Sequence, residues 1–208
     1  KDTYGGTSAI FNEYMPKFKI DTVQCDTDDH GQVEAEIAKG CNLLYLETPT
    51  NPTTRILDIA RLSKVAHAHG AVVVVDNTAA TPINQNPLQL GADVVVHSAT
   101  KFLGGHADAL GGVACGPRHL IDQIRHYREI NGAVLDPMSA YLLLRGMKTL
   151  GLRFRRLVWL LALKGQPRPW VRNLPHRHGN PDPGPTGCGW RRPRVSASRA
   201  IWRSFMPK

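Results

Sequence analysis

One carboxylate, one amine and two hydroxyls follow two short apolar runs in this 208-residue sequence. The run 72–75 stops at Asp76, and the run 94–96 leads through His97 to Ser98, Thr100 and Lys101. A lysine that is desolvated in a pocket has a lowered pKa and can attack a carbonyl group. These residue types therefore indicate Schiff-base chemistry, with an acid and two hydroxyls available to bind the rest of the ligand.

The same four side chains are of the types that a pyridoxal phosphate site needs. The ring nitrogen of this cofactor needs an acidic partner to stay protonated, and Asp76 fits that role. The phosphate needs several donors, which Ser98, Thr100 and backbone N–H groups can supply. Taken singly, such residues are more often turn formers, local caps and solvated lysines. Their occurrence at successive strand ends favours a shared pocket.

Strands that alternate with helices over about the first 150 residues must position these side chains. The periodicity predicts strands over 18–25, 42–47, 72–76, 94–97 and 109–115, and helices over 8–14, 32–39, 58–69, 118–129 and 138–150. This alternation predicts an α/β fold with three α/β/α layers around a mostly parallel sheet. Right-handed crossovers then bring the strand-end residues to one rim, where ligands bind in such folds.

The net charge of +9 belongs to the C-terminal part of the chain. Residues 151–208 carry 13 basic residues and the single acid Asp182, so residues 1–150 have a net charge of −3. Eight of the 15 prolines and all four tryptophans also lie there, a composition that sustains no regular periodicity. We therefore predict a cofactor-binding domain over 1–152 and an irregular basic tail over 153–208, with a composition that a shifted reading frame in GC-rich DNA would produce.

Other classes of function find little support in the sequence. The four cysteines are widely separated and form no C-x-x-C pair, so we expect neither a metal site nor a redox motif. No apolar run reaches membrane-spanning length and no leader pattern opens the chain, which predicts a cytoplasmic protein without a membrane partner. Arginines interleaved with Trp170, Trp190 and Trp202 could bind a nucleic acid, but no recognition module accompanies them.

The motifs Asp76-Asn77-Thr78, Gly91-Ala92-Asp93 and HSATKFLGGH over 97–106 resemble the Cys/Met-metabolism (trans-sulfuration) pyridoxal phosphate enzymes. The resemblance extends from Tyr4 to about Arg153 and is greatest to the cystathionine γ-synthases. It implies the large domain of the aspartate-aminotransferase-like fold type I. Family members are roughly twice as long, which implies a domain that is incomplete and a chain truncated at both ends.

By that resemblance, three residues act directly in the chemistry. Lys101 forms the Schiff base with the cofactor and moves protons, and Asp76 pairs with the pyridine nitrogen. Tyr4, within Tyr-Gly-Gly-Thr, stacks on the cofactor ring and assists the leaving group. Catalysis is thereby assigned to Lys101 and Tyr4.

The resemblance implies four further cofactor-binding residues. Ser98 and Thr100 bind the phosphate, Asn51 lies beside the phenolic oxygen, and Thr78 lies near the face of the ring. No metal is implied. The family generally forms homotetramers, so we expect a homo-oligomer that acts on a small amino-acid substrate.

The expected reaction is γ-replacement on an O-acylhomoserine by cysteine or another thiol, giving cystathionine or homocysteine. Gly6 occupies the position at which methionine γ-lyases typically carry a cysteine, and KFLGGH and LRGMKTL are most similar to cystathionine γ-synthases. The alternatives are γ-elimination, as in cystathionine or methionine γ-lyases, and an inactive fragment with a basic nucleic-acid-binding tail.

Overall fold

A computed structural model of the protein describes residues 2–163, with the side chains of the last helix described as far as residue 158. All of these residues belong to one compact unit, Lys1–Leu174. Most of the predicted basic tail, residues 164–208, lies outside the described residues.

A four-stranded sheet forms the centre of this unit. Its strands are β1 (Leu43–Glu47), β2 (Val72–Asp76), β3 (Val94–Ser98) and β4 (Gly112–Cys115), in the spatial order β1-β2-β3-β4. The first three strands run parallel, and β4 pairs with β3 in the antiparallel direction. The predicted α/β fold with a mostly parallel sheet is therefore confirmed.

Helices precede, connect and follow the strands. They are α1 (Gly5–Ala9), α2 (His30–Ala38), α3 (Ile59–Ala68), α4 (Thr81–Asn84), α5 (Arg118–Asn131), α6 (Pro137–Met147) and α7 (Leu150–Leu163). Single turns of 3₁₀ or π helix add Ile10–Tyr14, Met15–Phe18, Pro87–Leu90 and Ala99–Leu103. Aspartates begin several of these helices: Asp58 accepts a hydrogen bond from the Arg61 N–H at 3.0 Å and caps α3. The domain boundary predicted between residues 152 and 153 lies within α7, and it stays a prediction.

Two apolar cores hold the layers together. The larger one packs Val73 and Val75 of β2 against Ile59 and Leu62 of α3, all of them almost fully buried. Their alternation with half-buried residues on β2 fixes which face of the strand turns toward α3. The smaller core contains Ala99, Leu103, Leu143 and Leu150, so it joins the segment after β3 to α6 and α7.

The strand predicted over 18–25 is wrong. Met15–Phe18 forms a 3₁₀ turn that ends at Lys19 in the left-handed region (φ 59°), and residues 20–26 continue without helix or strand. Alternation alone makes no strand, because a strand also needs a neighbouring backbone to pair with. Residues 19–27 and β1 instead line a cavity of about 780 Å³, and the Phe18 side chain is 69% exposed.

The described helices include none that is long and apolar enough to span a membrane.

The larger core provides a test of this packing. Leu62→Ala removes a side chain that is 0% exposed, and such truncations cost about 2–5 kcal/mol of unfolding free energy. Leu152→Ala, on an exposed position of α7, is the matched control and should change stability by about 0.5 kcal/mol or less. Urea titration followed by circular dichroism measures both. Equal midpoints for the two variants would contradict the core assignment.

Candidate active site

The carboxyl ends of β1, β2 and β3 meet at one edge of the sheet, here called the rim. β1 ends at Glu47, β2 at Asp76 and β3 at Ser98. Glu47 and Asp76 are direct register partners, and Asp76 lies opposite Val96, two residues before Ser98. Parallel pairing therefore brings the predicted Asp76 and Ser98 to the same edge of the sheet.

The Asp76 carboxylate is half-buried and held by two donors. Its Oδ1 accepts the Thr78 backbone N–H at 2.9 Å, and its Oδ2 accepts the Tyr45 hydroxyl at 3.3 Å. Burial, together with the nearby charge of Asp76, raises the pKa of the Tyr45 phenol far above its usual value. Tyr45 therefore keeps its proton and remains a donor to Asp76.

Thr78 connects Asp76 to the end of β3. Its Oγ1 accepts the Ser98 backbone N–H at 2.7 Å, so Asp76, Thr78 and Ser98 form one hydrogen-bonded group across two strands. Within the described part of the chain, the Ser98 hydroxyl makes no hydrogen bond. This hydroxyl can therefore donate to a ligand without breaking a contact inside the protein.

Lys101 lies in a kinked turn directly after β3. The turn Ala99–Leu103 buries Ala99 and Leu103 but leaves Lys101 exposed, with φ −89° and ψ −118°. Backbone N–H groups of Gly104 and Gly105 close the turn on the carbonyls of Ala99 and Lys101, at 2.8 and 2.7 Å. Among the described residues, the Lys101 amine has no ion pair or hydrogen bond.

Thr100 is tied to the segment that leads into β4. Its Oγ1 accepts the Gly111 N–H at 3.1 Å and lies 3.4 Å from the Gly111 carbonyl oxygen. An anion that takes the hydroxyl proton would replace only the longer of these two contacts, since hydrogen bonds weaken toward that distance. Thr100 can therefore serve as a donor while it remains attached to Gly111.

Glu47 connects two loops to the rim. The carboxylate is 7% exposed and accepts the backbone N–H of Tyr4 at 2.8 Å and that of Asn51 at 3.1 Å. Burial raises the pKa of Glu47 above its usual range and the charge of Asp76 adds to this, although both N–H groups oppose it. Glu47 is not among the residues predicted from the sequence, although it is a carboxylate at a strand end, as Asp76 is.

Tyr4 and Asn51 reach the rim through their backbones, while their side chains face solvent. The Tyr4 side chain is 55% exposed, and Asn51 is also exposed. A Cβ atom on Gly6 would lie 2.8 Å from Cε1 of the Tyr4 ring, so the glycine leaves room for this ring. Contacts and register thus connect the positions of Tyr4, Asn51, Asp76, Thr78 and Ser98, whereas the functions of these residues stay predictions.

The described part of the chain is similar to proteins of a known family. The model of the family described as "Cys/Met metabolism PLP-dependent enzyme" matches residues 1–158. An L-methionine gamma-lyase of Treponema denticola is 45% identical over 160 residues, which cover 75% of this chain and 40% of the relative. A chloroplastic cystathionine gamma-synthase 1 of Nicotiana tabacum is 47% identical over 156 residues, covering 74% of this chain and 29% of the relative.

The chain is also similar to solved structures, both in fold and in sequence. The crystal structure of cystathionine gamma-lyase from Lactobacillus plantarum, complexed with L-serine, superposes with a TM-score of 0.70 at 43% sequence identity. The match covers 73% of this chain and 40% of that one. Across these comparisons, the chain spans 29–40% of the length of the proteins that it matches.

The raised pKa of Glu47 predicts a pH-dependent stability term. The folded state holds the Glu47 proton more tightly than the unfolded state does, so the unfolding free energy should fall as pH rises from about 4.5 toward the raised pKa. Glu47→Gln removes this titration. The difference in stability between variant and wild type should therefore shift in favour of the variant over that pH range.

Urea titrations of both proteins at several pH values between 4 and 8 measure this difference. Glu36→Gln is the control, since Glu36 pairs with Lys39 on the surface of α2. A difference between Glu47→Gln and wild type that stays constant with pH would contradict the assignment.

Proposed function

The chain belongs to the Cys/Met metabolism PLP-dependent enzymes, and from that premise we propose that its rim forms the cofactor-binding part of an active site. One observation carries the proposal. Asp76, Thr78 and Ser98 form a hydrogen-bonded group, and Lys101, which has no polar partner in the described part of the chain, lies in the turn that directly follows Ser98. A half-buried carboxylate, an available hydroxyl and an exposed amine fit the chemical groups of pyridoxal phosphate.

Asp76 and Lys101 would bind opposite ends of the cofactor's reactive system. Bound pyridoxal phosphate supplies an electron sink that stabilises negative charge on the α carbon of an amino acid. Asp76 would hold a proton on the ring nitrogen, and its own orientation is fixed by the Thr78 N–H and the Tyr45 hydroxyl. The Lys101 Nζ would bind the aldehyde carbon and carry protons to and from the substrate.

The remaining predicted residues would orient the cofactor. The hydroxyls of Ser98 and Thr100 would donate to its phosphate, and Thr78 would lie at the face of the ring. Tyr4 would stack on the ring and assist the leaving group, while Asn51 would lie beside the phenolic oxygen. Glu47 supports both of these last roles because it holds the backbones of Tyr4 and Asn51.

The reaction we favour is γ-replacement on an O-acylhomoserine. The bond between the γ carbon and oxygen breaks, the acyl group leaves as a carboxylate, the thiol sulfur bonds to the γ carbon, and the thiol proton goes to solvent. Cysteine would give cystathionine, and hydrogen sulfide would give homocysteine. Gly6 supports this choice, because methionine γ-lyases typically carry a cysteine at this position, and here a Cβ atom would lie against the Tyr4 ring.

γ-Elimination is the second candidate, because the relatives include lyases as well as synthases. A cystathionine gamma-lyase of Bacillus subtilis is 42% identical over 153 residues, and the Treponema relative is a lyase as well. In this reaction the γ substituent leaves without a thiol taking its place, and hydrolysis yields a keto acid and ammonia. Lys101 and Asp76 would perform the same proton transfers in both reactions.

We further propose that the protein acts in the cytoplasm as a homo-oligomer. Support for the homo-oligomer comes from large apolar side chains that are exposed on and near α5 and α6, namely Tyr127, Ile130, Val134, Met138 and Tyr141. An interface between subunits would cover such side chains.

Cofactor binding tests the proposal directly. Pyridoxal phosphate added to the purified chain should give an absorbance band at the edge of the visible range. Borohydride reduction should then attach the cofactor permanently to Lys101, which peptide mass spectrometry detects. Lys101→Ala should lose both signals. Lys64→Ala, which alters an exposed lysine of α3, is the matched control and should retain them. Equal labelling of both variants would overturn the assignment of Lys101.

Product analysis distinguishes the two reactions. The chain loaded with pyridoxal phosphate should convert an O-acylhomoserine and cysteine to cystathionine, and the Lys101→Ala chain should not. Chromatography of the products measures this conversion. A keto acid and ammonia without cystathionine would instead support γ-elimination and contradict γ-replacement.

A further inference from the structure

Arg153 of α7 places its guanidinium group at the end of the turn that contains Lys101. Its Nη1 donates to the Phe102 carbonyl at 2.9 Å, and its Nη2 lies 3.3 Å from the Leu103 carbonyl oxygen. Nη2 also donates to the Gly146 carbonyl at 2.9 Å, and Nε donates to Thr149 Oγ1 at 3.1 Å. One side chain thus joins the turn to α6 and to the beginning of α7.

A guanidinium group suits this place for a geometric reason. It presents five N–H donors in a rigid plane, so it can bind several carbonyl oxygens at once. Carbonyls at the end of a helical turn have no partner within the turn, and a cation is favourable beside them. Arg153 therefore satisfies the end of the Ala99–Leu103 turn in a way that a single ammonium group could not.

Glycines make room for this contact. Gly105 has φ +71°, and a Cβ atom there would overlap the Arg153 guanidinium. A Cβ atom on Gly146 of α6 would overlap the Gly104 carbonyl oxygen. The paired glycines after Lys101 and the glycine in LRGM therefore serve one purpose, which is the close approach of the turn, α6 and Arg153.

The position of Lys101 depends on this turn. Its φ and ψ of −89° and −118° are non-helical, and such uncommon conformations persist only where the surroundings hold them. Within the described part of the chain, the Lys101 side chain has no polar partner that could orient it. The backbone of the turn alone directs the amine, and Arg153 holds the two carbonyls directly after it.

We propose that Arg153 is a positioning residue for Lys101. It acts through the Phe102 and Leu103 carbonyls and fixes the position from which the Lys101 amine attacks the aldehyde of the cofactor. This inference rests on the proposed function for the chemical role of Lys101. The Arg153 guanidinium itself contacts backbone and Thr149, so its effect on chemistry passes through the turn.

Three variants of the full chain test the inference. Arg153→Met removes the donors, Arg153→Lys keeps the charge without the planar fork, and Gly105→Ala displaces the guanidinium from the other side. Arg145→Met is the matched arginine control, because Arg145 of α6 pairs with Asp108 on the surface. Gly132→Ala is the matched glycine control, since Gly132 has φ +73° with no atom within 4 Å of an added Cβ.

Two measurements on each variant separate positioning from mere stability. Hydrogen exchange of the Gly104 and Gly105 amides, without cofactor, reports on the turn itself. The rate at which pyridoxal phosphate attaches to Lys101, trapped by borohydride and read by mass spectrometry, reports on the position of the amine. We expect faster exchange at the amides of residues 104 and 105 and attachment slowed on the order of 10–100-fold, with Arg153→Lys between Arg153→Met and wild type. The two controls should behave like wild type.

The outcomes are distinct. Unchanged protection of the amides of residues 104 and 105 in folded Arg153→Lys and Gly105→Ala chains would overturn the inference, even if Arg153→Met fails to fold. Faster exchange with an unchanged attachment rate would overturn it as well, since Arg153 would then only stabilise the turn. A wild-type chain that attaches no pyridoxal phosphate at Lys101 would contradict the proposed function, and the exchange data would still show whether Arg153 holds the turn.

Discussion

The parallel pairing of β1, β2 and β3 is the constraint on which the candidate site depends. Because these strands run in the same direction and in register, Glu47, Asp76 and Ser98 end at one edge of the sheet. The buried valines of β2 maintain that register, since a slip of one residue would turn them toward the opposite face. Packing of the β2 valines against α3 therefore fixes the direction of the Asp76 side chain at the end of the same strand.

Charged side chains that bind backbone groups complete the site on two sides. Glu47 accepts the N–H groups of Tyr4 and Asn51, and Arg153 donates to the carbonyls of Phe102 and Leu103. Hydrogen bonds to charged groups contribute about 1.5–3 kcal/mol each, more than those between neutral groups. Both contacts hold loops by their backbones, which leaves side chains such as Tyr4 exposed for a ligand.

Local patterns predicted much of this arrangement. Short apolar runs bounded by turn signals located β1, β2 and β3, and apolar residues at helical spacing located most of the helices. The strand predicted over 18–25 does not form, because this backbone has no partner in the sheet although its apolar and polar side chains alternate. The contacts of Glu47 with Tyr4 and of Arg153 with Leu103 were not predicted, since they join a side chain to backbone atoms 43 and 50 residues away in the chain.

The sequence by itself determined the chemistry available to this protein: a lysine, an acid and hydroxyls at strand ends, in motifs similar to those of pyridoxal phosphate enzymes. These features are local, so residue type and spacing carry them. Only the tertiary structure decided which groups remain free and which are engaged. Ser98 and Lys101 keep unused donors among the described residues, whereas Thr100, Glu47 and Arg153 are committed to backbone partners. Hydrogen bonds between distant segments exist only once the chain has folded, and no local pattern encodes them.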